Sequence, residues 1–258
     1  MTSNLNTKIL DTLMAHVSVR AFRDKPLPDG VLEKLVEAGT RASTSSNMQA
    51  YTVIAVTDPP LKKQLAKLCA DQPQIHQSAM FLVFCADLHK LTLCCRQHGT
   101  KTDAVGEAEA LIIAVIDAAL VMQNVAVAAE SLGLGICMIG AMRNHPTAVA
   151  DLLHLPANVF AISGFCIGYP ADDGEVKPRL PLAATLHTNR YRSDNELRDL
   201  ISSYDETLTR WYADHNMHPK DPRWSALMAK RLPAVARRAE VADCLKVQGF
   251  FSPRDQAD

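Results

Sequence analysis

Several familiar signatures are absent from this sequence of 258 residues, and each absence narrows the range of functions. The seven cysteines contain no Cys-x-x-Cys pair, which argues against a zinc ribbon or a disulfide framework and suits a reducing cytoplasm. Positive and negative charges nearly cancel, at a formal net charge of −1, so no basic field attracts nucleic acid or acidic lipid. We therefore expect a cytoplasmic protein with small-molecule partners, and neither nucleic acid nor a membrane among its partners.

Targeting and catalytic motifs are also missing. Residues 1–20 lack the uninterrupted apolar core of a signal peptide. No Gly-x-Gly-x-x-Gly follows a strand and opens a helix, and no Gly-x-Ser-x-Gly occurs. Two histidines and two cysteines lie within residues 89–98, but adjacent Cys94 and Cys95 suit a tetrahedral zinc site poorly. We expect neither a metal centre nor a nucleophilic side chain.

The most apolar stretch of the chain is residues 105–141. A helix from Glu107 to Leu132 is apolar on nearly every face, which predicts a helix buried all round. Two glycines directly after it are placed to end it, and residues 136–141 have the pattern of a short buried strand. About 20 apolar residues can cross a bilayer, but Asp117 and other polar side chains within this run favour a soluble core helix.

The rest of the chain mixes strands and helices without a strict βαβ rhythm, which predicts an α+β fold. We predict a core domain over residues 1–193 and a helical arm over residues 194–258. The apolar and amphipathic runs predict strands at 51–56, 80–86 and 160–168, and helices at 4–16, 28–40, 61–69 and 146–153. Residues 87–104 are predicted to be irregular. Asn144 is predicted to cap the helix that starts at Pro146.

One polar pattern near the start of the chain is suited to binding an anion. In an extended segment His16, Ser18 and Arg20 alternate onto one face, with valines on the other. A guanidinium fork beside a hydroxyl and an imidazole suits a phosphate. A solvated polar surface explains the same spacing, and the pattern alone does not separate the two interpretations.

Two further stretches have a comparable pattern. The hydroxyl-rich loop Ser43–Asn47 would bond a polyol or a heteroaromatic edge, although such runs are commonly solvated loops. Lys177 and Arg179 flank Pro178, and two cations on a stiff loop suit an anion, with plain surface charge as the alternative.

Taken in order, these stretches resemble the FMN-dependent nitroreductase superfamily, most closely the group of the oxygen-insensitive NADPH nitroreductase and the NADPH-flavin oxidoreductase. The resemblance covers roughly residues 8–250; each motif is weak alone, and six in order are specific. The motifs are His16-x-Ser18-x-Arg20-x-Phe22, Arg41–Ser46 with Gln49, Gln72, Glu130–Gly135, Ile139-Gly140 with Arg143-Asn144, and Gly168–Ala171 with Lys177–Pro181.

The resemblance implies a nitroreductase-like α+β fold, in which helices surround a central, mostly antiparallel sheet, built as an intertwined homodimer with FMN at the subunit interface. It assigns residues of this chain to four roles. The residues that would bind the FMN phosphate and nearby polar atoms are His16, Ser18, Arg20, Lys177 and Arg179, and those that would bond the ribityl chain or the ring edge are Thr44, Ser45, Ser46 and Gln72. The flavin floor would be the backbone of Met138, Ile139, Gly140 and Ala141. The residues that would bind NADPH or NADH are His215 and Lys220.

The function implied is two-electron, ping-pong reduction of nitroaromatics, quinones or flavins by NAD(P)H, in which the cofactor carries the chemistry and no side chain is named as catalytic. A non-redox module that binds FMN or another anion, as a carrier or sensor, is the alternative. His215 and Lys220 stand where NADPH-preferring members carry arginines, and Ala141 stands where a second glycine is common. The choice between NADPH and NADH therefore stays open.

Overall fold

A computed structural model describes residues 7–172, 174–217 and 219–251, with the side chain of Arg237 outside the description. The chain divides into two compact units. Unit 1 comprises residues up to Gly174 together with those from Arg238 onward, and unit 2 comprises Glu175–Arg237. These units differ from the predicted ranges 1–193 and 194–258, which stay a prediction about domains.

The regular elements follow one another as alternating helices and strands. In chain order they are α1 (Lys8–Met14), α2 (Val31–Gly39), β1 (Tyr51–Val56), α3 (Pro59–Leu68), α4 (Pro73–Gln77), β2 (Met80–Asp87), α5 (His89–Gln97), α6 (Ala108–Ser131), β3 (Gly135–Ile139), α7 (Pro146–Leu152), β4 (Val159–Gly168), α8 (Asp194–Asp214), α9 (Trp224–Ala234) and α10 (Glu240–Val247).

The core of unit 1 is a four-stranded sheet in the order β1-β2-β4-β3, and every neighbouring pair is antiparallel. The strands have apolar residues on both faces, because helices cover both sides of the sheet. One face packs on α2 and α6 around Phe84, Ile136 and Phe165. The other face packs on α3 and α7 around Phe81, Cys166 and Met142. The predicted α+β class with an antiparallel sheet is confirmed.

The central helix α6 is the main correction to the sequence analysis. It packs on α2 and on all four strands, and Asp117, Val121 and Val125 on its inner side are 0% exposed. Its outer side is not covered: Ile112 and Ile116 are each 51% exposed and Leu120 is 42% exposed. The prediction of a helix buried all round is therefore wrong for this chain alone. By length and composition α6 would also cross a membrane, but its inner side lies in the core of unit 1.

Two local predictions are also wrong. Residues 87–104 contain α5, because Asp87 accepts hydrogen bonds from the backbone of the first helical turn and Thr92 is buried against the core. Asn144 does not cap α7, whose first flanking residue is His145. The Asn144 amide oxygen instead accepts from Arg238 Nε at 3.2 Å. The short helix α4 lies in a stretch for which no element was predicted.

Unit 2 is built around α8, whose first turn is fixed by a capping box between Ser193 and Glu196. The Tyr204 hydroxyl on this helix donates to the carbonyl of Pro178 at 2.7 Å, which holds the preceding loop against α8. Asp205 caps α9 by accepting from the backbone and hydroxyl of Ser225. The described residues after 194 are mainly helical, as predicted. Interruptions were expected at Pro219, Pro222 and Pro233. The first two prolines lie between α8 and α9, but Pro233 lies inside α9, so that expectation is wrong.

Candidate functional site

The segment around Ser18 runs beside the edge strand β3, as the extended pattern predicts. The Val19 amide donates to the carbonyl of Ile136 at 2.9 Å, and Ser18 forms a parallel bridge with the same residue. Val19 is 5% exposed, whereas Ser18 and Arg20 are exposed. The hydroxyl and the guanidinium therefore share one accessible face, and Arg20 Nη1 donates to the Ser18 carbonyl at 3.2 Å.

Glycines at the end of α6 allow the segment around Ser18 to lie close to β3. Gly133 has φ +74° and the Leu134 amide donates to the Ala129 carbonyl at 3.0 Å, which is the expected left-handed helix end. Gly135 has a different role from the one predicted for it. A Cβ on Gly135 would stand 2.5 Å from Val19 Cγ2, so any larger residue would push the segment away from β3.

His16 is oriented by the far end of α6. Its Nδ1 lies 2.5 Å from Glu130 Oε1, and the Glu130 side chain is only 13% exposed. This contact directs one ring nitrogen of His16 toward the helix and leaves Nε2 for another partner.

Arg20 belongs to a polar cluster at the end of β3. Burial raises the pKa of the Cys137 thiol, while the charge of Arg20 and a hydrogen bond with Gln74 act in the opposite direction. Gln74 Nε2 donates to Gln72 Oε1 at 2.8 Å, and Gln72 Nε2 donates to the Cys69 carbonyl at 2.9 Å. A hydrogen bond thus joins Gln72 to Gln74, whereas Arg20 acts on the Cys137 thiol through its charge.

A buried carboxylate holds the hydroxyl loop in place. Asp117 on α6 is 0% exposed and accepts from the Ser45 amide at 3.0 Å and from the Ala50 amide at 3.1 Å, one through each oxygen. Between these contacts Ser46 and two further non-glycine residues have positive φ, an uncommon backbone for side chains with a Cβ. Ser45 and Ser46 are exposed and Thr44 is half-buried, so the loop presents its hydroxyls outward.

The predicted flavin floor spans the last two paired residues of β3 and the turn that follows them. Met138 is 39% exposed on this strand, whereas Ile139 on the other face is 1% exposed. Gly140 and Ala141 begin a single turn of 3-10 helix and are half-buried. The Arg143 guanidinium lies beside Gly140, where a methyl group would stand 3.3 Å from Arg143 Nη2.

The remaining predicted residues lie in unit 2. Lys177 and Arg179 are exposed, and the Lys177 ammonium stands 5.3 Å and 5.2 Å from the ring centres of Trp211 and Tyr212. His215 stacks on Trp211 with ring centres 4.2 Å apart.

A carboxylate faces the predicted nucleotide residue His215. His215 Nδ1 donates to the Trp211 carbonyl at 2.7 Å, and its Nε2 lies 3.5 Å from Glu175 Oε2. Lys220 is exposed. A negative charge therefore stands close to the position where a nucleotide phosphate was expected.

Comparison with known proteins decides the family. Residues 13–169 match the Nitroreductase family, and residues 177–252 match the Nitroreductase family, C-terminal domain. The chain belongs to the nitroreductase family.

Relatives of the chain carry the names of reductases. The chain is 35% identical over 243 residues to FMN reductase (NADPH) of Bacillus subtilis, covering 93% of this chain and 97% of that protein. It is 37% identical over 242 residues to the Cr(VI) reductase of Pseudomonas sp. strain G-1, covering 94% and 98%. The NfrA1 nitroreductase from Bacillus subtilis superposes with a TM-score of 0.91 at 34% identity, covering 95% of this chain and 99% of that one.

Within this nitroreductase fold, the structure adds residues that the sequence analysis did not assign to the site. Asp117 shapes the hydroxyl loop, Glu130 orients His16, and Gln74 donates a hydrogen bond to Gln72. A signal for Asp117 was available, since a single acid inside an apolar helix needs a hydrogen-bond partner when it is buried. Gln74 gave no comparable signal. Within the part of the chain that is described, no group of three or more metal-ligand side chains is placed to hold an ion.

Proposed function

We propose that this nitroreductase-family chain is an FMN-dependent NAD(P)H oxidoreductase that reduces nitroaromatics, quinones or flavins by two electrons. The observation that carries the proposal is the accessible face beside β3, where Ser18 and Arg20 are exposed next to the strand that presents Met138 at 39% exposure. The reductase names of relatives that match over nearly the whole chain support it.

The donor groups of unit 1 fit FMN. Arg20, Ser18 and His16 supply a guanidinium, a hydroxyl and an imidazole on one accessible segment, which is the set that binds a phosphate. Ser45 and Ser46 present hydroxyls outward from a loop fixed by Asp117, and hydroxyls of this kind bond a ribityl chain. The half-buried backbone of Gly140, without a Cβ, allows a flat ring to lie close.

Each group of residues has a separate task in this proposal. Bound FMN supplies hydride acceptance from NAD(P)H and electron transfer to the acceptor. Asp117 holds the hydroxyl loop in one conformation, Glu130 holds the His16 ring, and Arg20 gives the phosphate a charge-assisted contact. The assignment of Lys177 and Arg179 to the phosphate, and of His215 and Lys220 to the nucleotide, stays a prediction from the resemblance.

We also infer that the chain forms a homodimer and acts in the cytoplasm. The outer side of α6 presents Ile112, Ile116 and Leu120, and the neighbouring α1 presents Ile9 at 65% and Met14 at 78% exposure. A contiguous apolar surface of this kind marks an interaction site. The exposed apolar side chains on both helices give a second copy of the chain a matching apolar surface to pack against.

The test is an anaerobic absorbance spectrum of the purified chain, before and after NADPH and then NADH are added. A bound flavin band that bleaches supports the proposal, and the faster nucleotide identifies the preferred donor. A band that neither nucleotide bleaches would favour a carrier or sensor. Absence of protein-bound flavin, after FMN is added and unbound FMN is removed by gel filtration, would contradict the proposal.

A pair of variants locates the phosphate site. Arg20→Ala removes one charge-assisted hydrogen bond, worth about 1.5–3 kcal/mol, and we expect FMN binding to weaken by that amount in fluorescence titration. Arg23→Ala is the matched control, because Arg23 is an exposed arginine on the same segment. Equal FMN affinity in both variants would show that Arg20 does not hold the phosphate.

A further inference from the structure

Two arginines of unit 1 lie close together at the end of β3. Arg143 donates from Nη1 to the carbonyl of Ile162, and Arg238 donates from Nε to the Asn144 side chain at 3.2 Å. Arg143 and Asn144 are adjacent in the chain, and both guanidinium groups are half-buried. The acceptors that hold the two cations are a carbonyl and an amide, which are both neutral.

This arrangement is costly without an anion nearby. Burial lowers the pKa of Arg143 below its usual value, and the like charge of Arg238 lowers it further. None of the ion pairs found among the described residues includes either arginine. Half-buried cations are ordinarily paired with a carboxylate, so this pair is short of negative charge.

The fold itself brings Arg143 to this position. Ser163 pairs with Phe84 and Ala161 with Cys85, so a bulge leaves Ile162 without a partner on β2. The free carbonyl of Ile162 receives Arg143, and the guanidinium then lies on the side of Gly140 where a side chain would project. Gly140 is the backbone position assigned to the flavin floor.

We propose that Arg143 and Arg238 form a cation pair that favours reduced FMN over oxidised FMN and so raises the reduction potential of the bound cofactor. The inference rests on the proposed function, since it takes the Gly140 backbone to lie against the flavin. Reduction adds negative charge to the ring system, and charge near the ring is a means by which a protein tunes a flavin. The oxidised ring is neutral and gains less from the pair.

The experiment separates charge from structure with variants of Arg238. Arg238→Gln keeps a side-chain N–H for Asn144 and removes the charge, whereas Arg238→Lys keeps the charge. Lys246→Met is the matched control, because Lys246 is an exposed cation on α10 in the same C-terminal segment. Dissociation constants of oxidised and reduced FMN, and the midpoint potential, are measured for each purified protein. Arg143→Gln and Arg143→Lys repeat the contrast if Arg238→Gln does not fold.

In Arg238→Gln we expect the ratio of the dissociation constants of oxidised and reduced FMN to fall about tenfold. This corresponds to a midpoint potential about 30 mV lower for a two-electron couple. Arg238→Lys and Lys246→Met are expected to stay within about twofold of the unmodified chain. If the Gln variant binds both forms of FMN with an unchanged ratio, the cation pair is only structural and the inference is overturned. If the unmodified chain binds no FMN, the proposed function fails instead, so the two failures are distinguishable.

Discussion

The two sides of α6 differ in what covers them although both are mainly apolar. The inner side packs on the sheet and on α2, and it carries Asp117, which is fully buried and bonded to the hydroxyl loop. The outer side carries Ile112, Ile116 and Leu120 at 42–51% exposure. The inner side therefore shapes the candidate site, and the outer side is the surface that we propose for the homodimer interface.

The largest effect is expected from a charge on the outer side. Ile116→Asp places a carboxylate in the proposed interface, where it would be buried without a partner. We expect the dimer dissociation constant to rise at least a thousandfold, or about 4 kcal/mol, in sedimentation velocity. Val247→Asp, at a position 78% exposed on α10, is the control and leaves the dimer intact. A variant Ile116→Asp that remains dimeric would place the interface elsewhere.

A smaller effect is expected on the inner side, from Asp117→Ala. The change leaves two backbone donors of the hydroxyl loop without their acceptor, at about 1–3 kcal/mol for each donor that stays buried. Both the free energy of unfolding and FMN affinity should fall, and Asp117→Asn should fall less because it keeps one acceptor oxygen. Glu109→Ala, at an exposed position of the same helix, is the control for urea unfolding and FMN titration. FMN affinity unchanged in Asp117→Ala would mean that the loop does not bind the cofactor.

Substitutions that change side-chain volume compare the packing on the inner and outer sides of α6. A Cβ on Gly39 of α2 would stand 2.7 Å from Val125 Cγ2 on the inner side, so Gly39→Ala should cost about 1–3 kcal/mol of unfolding free energy. Leu120→Ala on the outer side should cost less in the isolated monomer, since its side chain is 42% exposed there. Equal losses measured in urea with a monomeric variant would contradict the proposed difference.

The smallest effect is expected from a single buried thiol at raised pH, on the sheet face that lies away from α6. Burial raises the pKa of Cys69, Cys85 and Cys166 from 9.0 to about 12. The unfolded chain ionises these thiols near pH 9 while the folded chain does not, so stability is complete below pH 9 and falls as pH rises toward 12. Each thiol should remove about 1.4 kcal/mol per pH unit in that window.

Urea unfolding at pH 8, 9 and 10 checks this direction. Cys166→Ala should show a shallower loss between pH 9 and 10 than the unmodified chain, whereas Cys94→Ala should not, because Cys94 is exposed. Parallel curves for all three proteins would mean that Cys166 ionises equally in the folded and unfolded states.

The sequence predicted the regular core well where local pattern decides structure. The β-branched run at 51–56 is β1, and the apolar run at 160–168 lies within β4. The sequence analysis failed where the hydrogen-bonding or packing partners of a residue come from distant parts of the chain. Asn144 has the side chain of a helix cap, but an arginine 94 residues later takes its oxygen. Burial of α6 was overstated because an apolar pattern does not say which chain covers a surface.

In the candidate site, too, local features were predicted and contacts between distant parts of the chain were not. Alternation in the segment from His16 to Arg20 is a local property, and the exposed face was predicted correctly. The placement of Ser18 and Arg20 beside β3 is not local, since it depends on pairing with Ile136, more than 100 residues later. The role of Asp117 combines a local signal, an acid within an apolar helix, with a partner loop 67 to 72 residues earlier.

The bond from the Val19 amide to the Ile136 carbonyl also governs when the site can form during synthesis. The segment that holds His16 and Arg20 leaves the ribosome early, but the strand edge that receives it is 117 residues further along the chain. At about 5–20 residues per second, the nascent chain waits roughly 6–25 seconds for that edge. Cofactor loading is therefore expected to follow synthesis of β3 and β4, even though the phosphate-binding residues are among the first to be made.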